Sequence, residues 1–319
     1  MKGSIFFILI AGIALWAQDS SVKTTTAVDI NGNRVGNGPV IDQTKTAKTS
    51  ETTERMRSIN GQMVPLERVE EHVLRDDASG KVVERVIHRF DATGQPAGTA
   101  KETIETQKRS DGSSTTQATR YQSDINGSMR LVEKATTDVQ KSGSTETSQT
   151  VVQRPTVNGS LDTVEKKETV RSGAGSAYRE DSTTYRRDGN GGFNVALRDT
   201  VEHTEQNGET AENTAHYEVG AEGRLQLHNQ SVSTTVKRPD GSKESVVNLF
   251  GLNVPGTNDP TGKLKLYEQQ VVESKPGAGN TVVETLSVRR PSTSDPKILG
   301  PERQVSQTVC KGKCSDDSQ

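Results

Sequence analysis

The side chains in this chain that could do chemistry are five histidines, two cysteines and a few adjacent carboxylates. A Gly-x-Ser-x-Gly nucleophile or a phosphate-binding glycine loop would be recognisable from its spacing, and neither pattern occurs. The histidines fall at unrelated offsets within the repeat described below, so stacked units would not align them into a metal-binding ladder. We interpret them as solvent-facing strand residues: His72, His88, His203, His216 and His228.

The carboxylates give no stronger signal. Glu70 and Glu71 are adjacent, and adjacent strand residues point to opposite faces, which excludes a pair that shares one proton. The segment Asp188-Gly-Asn190-Gly-Gly offers oxygen atoms to Ca²⁺ but lacks the further carboxylates that such a site needs, so a plain turn is the better interpretation. The sequence therefore predicts no catalytic residue, no cofactor, no metal site and no enzymatic activity.

The two cysteines, Cys310 and Cys314, stand in Cys-Lys-Gly-Lys-Cys near the end of the chain. In an exported protein two cysteines most simply form a disulfide, and Gly312 between them would let the small loop close. The spacing is one residue too long for a Cys-x-x-Cys redox motif. We expect a local disulfide, with an intermolecular link or a thiol site as the alternatives.

The first residues predict export. Lys2 is followed by an apolar run from Ile5 to Trp16, and Ala17 offers a small residue for cleavage. This pattern is typical of a secretory signal peptide, because the run is too short to cross a bilayer as a helix. We expect a mature chain that begins near Gln18, contains no tryptophan and is secreted, periplasmic or on the cell surface.

The composition excludes several classes of protein. Hydrophobic residues make up 29% of the chain, below the level of an ordinary globular domain even when glycine is added. Forty basic and 42 acidic residues leave a net charge of −2. An enzyme with a thick apolar core is therefore not expected, and the charge gives no basis for a nucleic-acid partner.

Turn signals recur about every 32 residues, which indicates a repeat. The first series of turns is Asn60-Gly61, Thr93-Gly94, Asn126-Gly127, Asn158-Gly159, Asn190-Gly191, Glu222-Gly223 and Thr261-Gly262. A second series, which includes Asp111-Gly112 and Asp240-Gly241, lies between them. Asn-Gly and Asp-Gly favour tight hairpin turns, and the intervening segments are rich in Thr and Val, so each unit predicts a β-hairpin.

Large side chains also recur within the units. Two residues after the first-series glycine stands an apolar column: Met63, Met129, Leu161, Phe193, Leu225 and Leu264. An aromatic residue recurs shortly before the next unit: Phe90, Tyr121, Tyr185, Tyr217 and Phe250. We interpret the column as structural, one face of the predicted strands.

These observations predict an all-β fold: an antiparallel meander of about seven two-stranded units that forms a thin, single-layer sheet, extended or gently curled. A transmembrane barrel is an alternative that the strand number invites. The mean hydropathy of −0.73 and the scarcity of aromatic residues argue against the lipid-facing band and aromatic girdles that such a barrel needs. A wholly disordered chain is the remaining alternative.

One family resemblance accompanies this prediction. Tyr121-Gln-Ser-Asp124 with Gly127 and Met129, and Tyr185-Arg-Arg-Asp188 with Gly191 and Phe193, resemble the rhythm of YD (Rhs-type) repeats. The resemblance implies a secreted or surface β-hairpin shell. The unit in this chain is longer than that of the family, and the Tyr-Asp pair is rarely intact.

The chain therefore divides into a signal peptide (1–17), a Thr/Ser-rich spacer or degenerate first unit (18–59), a β-hairpin array (60–291) and a Pro-containing tail with the cysteine pair (292–319). We expect an exported structural or surface-interaction protein that associates with itself through exposed sheet edges. The alternative is an extracellular binding module for a polymer such as a polysaccharide. In either case we expect no transmembrane span in the mature chain.

Overall fold

The computed structural model describes residues 19–29, 33–35, 38–252, 263–292, 295 and 298–312. The predicted signal peptide and Cys314 lie outside these residues. The described residues form eighteen β-strands: β1 (Asp19–Ala27), β2 (Val40–Thr46), β3 (Ser50–Ile59), β4 (Gln62–Asp77), β5 (Gly80–Phe90), β6 (Pro96–Lys108), β7 (Ser114–Ser123), β8 (Met129–Ser142), β9 (Thr145–Pro155), β10 (Leu161–Ala174), β11 (Ala177–Arg187), β12 (Phe193–Gln206), β13 (Glu209–Val219), β14 (Leu225–Lys237), β15 (Lys243–Gly251), β16 (Lys265–Pro276), β17 (Thr281–Arg289) and β18 (Arg303–Gly312).

The strands form one antiparallel meander that closes on itself. Each strand pairs with the next along the chain, and β1 pairs with β18 as well as with β2. The closing register runs from Ser21 opposite Gly312 to Ala27 opposite Ser306. The all-β prediction is confirmed, but the prediction of a thin open sheet is wrong: the chain is an 18-stranded closed barrel.

Closure has a physical reason that the repeat alone does not reveal. The segment 18–59 contributes three strands and the segment 292–319 contributes β18, so the wall has more strands than the repeat predicts. Adjacent strands of a sheet are rotated relative to one another, and a long meander curls until its two edges can pair. Every described strand thus has two hydrogen-bonded neighbours, and the predicted association through exposed edges is wrong for these strands.

Two kinds of turn join the strands. Asn60-Gly61 and Asn207-Gly208 are two-residue loops in which all four residues have positive φ, as a type I′ turn requires. The longer turn after β7 places Gly127 at φ 81° and bonds its N–H to the carbonyl of Asp124 at 3.0 Å. The turn residues singled out in the sequence therefore set the hairpin geometry.

A β-bulge recurs at an equivalent position in several hairpins. The register shifts by one residue beside an aromatic residue at Phe90, Tyr121, Tyr185, Tyr217 and Phe250. Each bulge inserts one unpaired residue into the following strand, which bends the strand and increases its twist. The bulges therefore contribute to the curvature that closes the wall.

The two faces of the wall differ in exposure. In β11 the alternate residues Ser182 and Thr184 are buried, whereas on the opposite face Val170 of β10 and Val195 of β12 are well exposed. Side chains converge inside a cylinder and diverge outside it, so the face of Ser182 is inward and the face of Val195 is outward. Because register partners share a face, the pairing carries this assignment around the barrel.

The barrel has almost no apolar core. Among the described residues, the hydrophobic ones that are buried are Val83, which faces inward, and Ala215, which faces outward. Hydroxyl pairs between adjacent strands line the inward face instead, such as Thr106–Thr116 at 3.0 Å and Thr137–Thr150 at 2.8 Å. Cross-strand pairs of this kind contribute about 0.2–1 kcal/mol each, in addition to the backbone ladders.

Candidate functional site

A ladder of alternating charges runs along the inward face. Its members occupy six consecutive strands, β4 to β9, and alternate between carboxylate and guanidinium. We call this set the inward charge ladder: Glu71, Arg85, Glu102, Arg120, Glu133 and Arg154. A further inward ion pair, Glu165 with Arg186, lies on β10 and β11, with Glu165 opposite Val152 rather than Arg154.

Ion pairs and hydrogen bonds join the ladder into two groups, one from Glu71 to Arg120 and one of Glu133 with Arg154. Arg85 donates to Glu71 at 2.8 Å and to Glu102 at 3.2 Å, and Arg154 donates to Glu133 at 2.9 Å. Arg120 lies 3.9 Å from Glu102. Glu102 is the least exposed member, with 16% of its side chain accessible. Three carboxylates and three guanidinium groups make the ladder neutral overall, with strong local fields.

This arrangement suits contact with water and small polar solutes. A row of donors and acceptors of this kind can hydrogen-bond a passing solute without requiring a net charge of either sign. The ladder contains none of the histidine, cysteine or serine groups that would give it a nucleophile or a general base near neutral pH. Its chemistry is therefore that of a polar lining.

Three histidines face inward, and two of them lie together, which the sequence did not predict. His203, His216 and His228 occupy the consecutive strands β12, β13 and β14. His216 lies between two carboxylates, with Nδ1 2.5 Å from Asp199 and Nε2 3.2 Å from Glu218. The rings of His216 and His228 lie edge to face with 6.5 Å between centroids, whereas His203 is four residues along β12 from Asp199, the register partner of His216. Within the described part of the chain, no group of three or more His, Cys, Asp or Glu is arranged to hold a metal ion.

His203 belongs to a separate inward stack. Its ring stacks on Tyr178 at 4.7 Å between centroids, and Cζ of Arg171 lies 3.7 Å from the centroid of the same Tyr178 ring. The other two histidines, His72 and His88, face outward on β4 and β5. The interpretation as strand residues thus agrees with their positions, but three of the five line the interior.

The outward face carries the recurrent large residues of the sequence. Cross-strand register places Tyr121 opposite Leu131, Tyr185 opposite Val195, Tyr217 opposite Leu227 and Phe250 opposite Leu266. One position nearer the same rim, on the same face, lie Met63, Phe90, Met129, Leu161, Phe193 and Leu225. We call these residues the aromatic belt.

The belt is exposed in spite of its composition. Met63 and Met129 are 41% and 42% accessible, and Leu225 is 37% accessible. The tyrosines and phenylalanines of the belt are half-exposed. Large apolar side chains that recur at exposed positions on one face indicate a surface that contacts another apolar phase. The repeat spacing in the sequence identifies the members of the belt. Only the strand register shows that they lie beside one another on one face.

The remaining sequence-predicted residues lie elsewhere. Leu264 directly precedes β16 and is half-buried, outside the paired rows of the belt. Cys310 is in β18 and is disulfide-bonded, while the position of Cys314 lies outside the described residues. Asp188 caps a turn by accepting the N–H groups of Asn190 at 2.9 Å and Gly192 at 2.8 Å, as the plain-turn interpretation predicted.

Several solved structures have a similar course of the chain, at low sequence identity and low TM-score. OmpTdeltaL8, a loop L8 deletion mutant of OmpT, an outer membrane protein of Vibrio cholerae, is 8% identical with a TM-score of 0.33; the match covers 93% of this chain and 98% of that one. CdiB from Acinetobacter baumannii is 10% identical with a TM-score of 0.36, covering 92% and 59%. A porin-like protein from Bacteroides uniformis is 7% identical with a TM-score of 0.22, covering 92% and 98%.

No family model matches the chain, and no curated protein matches it in sequence. The resemblance to YD repeats is therefore wrong as a family assignment. The aromatic–Asp–Gly rhythm that suggested it has a local cause: the aromatic residue marks the bulge and the Asp and Gly form the turn that follows.

The prediction of no transmembrane span in the mature chain is also wrong. It depended on the low mean hydropathy and the scarcity of aromatic residues. The sheet is closed, and closed barrels are the β-architecture that can cross a bilayer, because no backbone edge is left unpaired. Among the described residues, no helix is long and apolar enough to cross a membrane.

Proposed function

We propose that this protein is an exported, non-catalytic β-barrel of the outer membrane whose lumen forms a water-filled passage for small polar solutes. The observation that carries the proposal is the inward charge ladder on a closed wall of eighteen strands. Barrels of 16 to 18 strands leave an aqueous channel rather than a packed interior. Ion pairs and hydroxyl groups form hydrogen bonds with water, so this lining suits a water-filled channel.

The outward face supports the membrane location. The aromatic belt exposes apolar and aromatic side chains around much of one rim, and transmembrane barrels carry aromatic residues at their interfaces with water. Export is consistent with the apolar run from Ile5 to Trp16 and the small residue Ala17. A neutral ladder predicts weak discrimination between cations and anions.

Reconstitution tests the proposal directly. The mature chain, residues 18–319, is added to planar lipid bilayers and its conductance is recorded. We expect stepwise increases in conductance, with a reversal potential near zero in a salt gradient because the ladder is neutral. In cells, the protein should stay in the membrane fraction after extraction with alkaline carbonate. A chain that is released by carbonate and gives no conductance steps would overturn the proposal.

A further inference from the structure

A second periodic feature of the outward face is a row of cations. One lysine or arginine stands on every second strand from β4 to β12, at intervals of 33, 33, 32 and 32 residues along the chain. We call this set the basic row: Arg68, Lys101, Lys134, Lys166 and Arg198. Strand pairing places all five on the outward face.

The basic row lies directly beside the aromatic belt. Lys101 is in register with Tyr121, Lys166 with Tyr185 and Arg198 with Tyr217. The Nζ atom of Lys166 is 4.4 Å from the centroid of the Phe193 ring. Three of the five cations therefore have a tyrosine in register, and Lys166 also contacts the Phe193 ring one position nearer the rim.

The members of the row differ in their ion pairs. Arg68 pairs with Glu70 at 2.8 Å, Lys101 with Glu84 and Arg198 with Asp181, both at 2.7 Å. No described carboxylate lies within ion-pair distance of Lys134 or Lys166. These two lysines are the members whose charge is most available to a ligand.

A membrane interface is the environment that satisfies both rows at once. A lipid-facing cation is most costly at the middle of the bilayer and costs little near the interface. Tyrosine sits at the headgroup level, and lysine or arginine can extend its charged end into that layer while its alkyl chain covers apolar surface. Headgroups with a net negative charge attract such cations.

We propose that the basic row binds the phosphate groups of anionic lipids, with the aromatic belt seated beside it at the same membrane–water interface. The inference rests on the proposed membrane location and adds the lipid class and the position of the barrel relative to the surface. Neighbouring members of the row are two strands apart, about 9.6 Å, so each can contact a different headgroup.

Vesicle flotation tests the lipid class. The mature chain is mixed with phosphatidylcholine vesicles with or without phosphatidylglycerol, and the bound fraction is measured. We expect tighter binding to the anionic vesicles, weakened about fivefold by Lys166→Gln and about 25-fold by the double variant Lys134→Gln/Lys166→Gln. Lys167→Gln is the matched control, because Lys167 is the next residue of β10 and faces inward; it should bind like the natural chain.

A fluorescence measurement tests the position of the belt. Trp16, the sole tryptophan of the chain, precedes the predicted cleavage site, so a single tryptophan introduced into the mature chain is a unique reporter. We expect Tyr185→Trp to be quenched by lipids brominated near the headgroup and Tyr178→Trp, which lies on the inward face of the same strand, not to be quenched.

The outcomes separate this inference from the proposed function. If the natural chain binds neither vesicle, the membrane location itself fails. If it binds both vesicles equally, if the double lysine variant behaves like the natural chain, or if Tyr185→Trp escapes quenching while the protein is bound, the membrane location stands and the lipid-binding role of the basic row is overturned.

Discussion

Thr25 Oγ1 lies 3.1 Å from Thr308 Oγ1, although 283 residues separate them in the chain. The two residues are register partners in the pairing of β1 with β18, the single pairing that joins the two ends of the meander. In an open sheet they would lie at opposite edges, far beyond any contact. This hydroxyl pair therefore reports directly on whether the wall is closed.

A cysteine pair at these positions should form a cross-link. In a Cys310→Ser/Cys314→Ser background, Thr25→Cys/Thr308→Cys should give a disulfide on mild oxidation, because directly opposite strand residues have Cβ atoms close enough to be bridged. Peptide mapping without reduction detects it. The control Thr25→Cys/Thr150→Cys changes two inward threonines on strands that are not neighbours and should not cross-link. A barrel that leaves the first pair unlinked is not closed as described.

Gly312 should be essential for the same closure. It has φ 97°, and a Cβ atom added there would lie 2.1 Å from the carbonyl oxygen of Ser20 in β1. Gly312→Ala should therefore lower the urea midpoint of unfolding and increase hydrogen exchange in β1. Gly127→Ala is the control: it has a positive φ but open space around its Cβ, so it should cost only about 1 kcal/mol. Equal effects of the two variants would argue against a backbone clash at the seam.

Removing one lumen cation should change ion selectivity. Arg85→Gln leaves the carboxylates of Glu71 and Glu102 without their shared partner, so the lumen becomes locally negative and the reversal potential in a salt gradient should shift toward cation selectivity. The outward residue Arg68 provides the matched control, since Arg68→Gln removes the same charge from the other side of the wall. Identical shifts for both variants would contradict the inward assignment of the ladder.

The turn that begins at Asp124 should lose stability in acid, because the ionised carboxylate of Asp124 holds it. The backbone N–H groups of Asn126 and then Ser128 hold the pKa of Asp124 below its usual range, with a smaller contribution from Arg130. The ionised form therefore stabilises this turn: the contribution is fully present above the ordinary aspartate pKa of about 4 and is lost as the pH falls through the lowered value.

An amide titration checks this prediction. The N–H resonance of Asn126 should shift between about pH 4 and lower values, following the carboxylate that it contacts at 2.9 Å. The turn that begins at Thr156 has the same backbone hydrogen bonds but a hydroxyl in place of the carboxylate, so Asn158 should show no such titration. A titrating Asn158, or a silent Asn126, would assign the acid response to another group.

Local features of the fold could be predicted from the sequence because their causes are local. Asn60-Gly61 and the glycine at 127 adopt the positive φ that their residue types favour, and the segments between them form strands. The apolar column and the recurrent aromatic residues were also visible, since a strand with period two and a regular turn spacing repeats its side chains on one face. What these residues do together could not be predicted.

Closure of the sheet is a property of the tertiary structure, and closure determines which side chains face inward and which face outward. Whether β1 meets β18 depends on the summed twist and bulges of eighteen strands, which no single hairpin encodes. Before closure the two faces of a polar sheet are equivalent; afterwards Lys166 faces outward beside the belt and Lys167 faces the lumen. The 32-residue recurrence of charge in the basic row was present in the sequence, but it acquires a meaning only when pairing places its members at one height on one side of a closed wall.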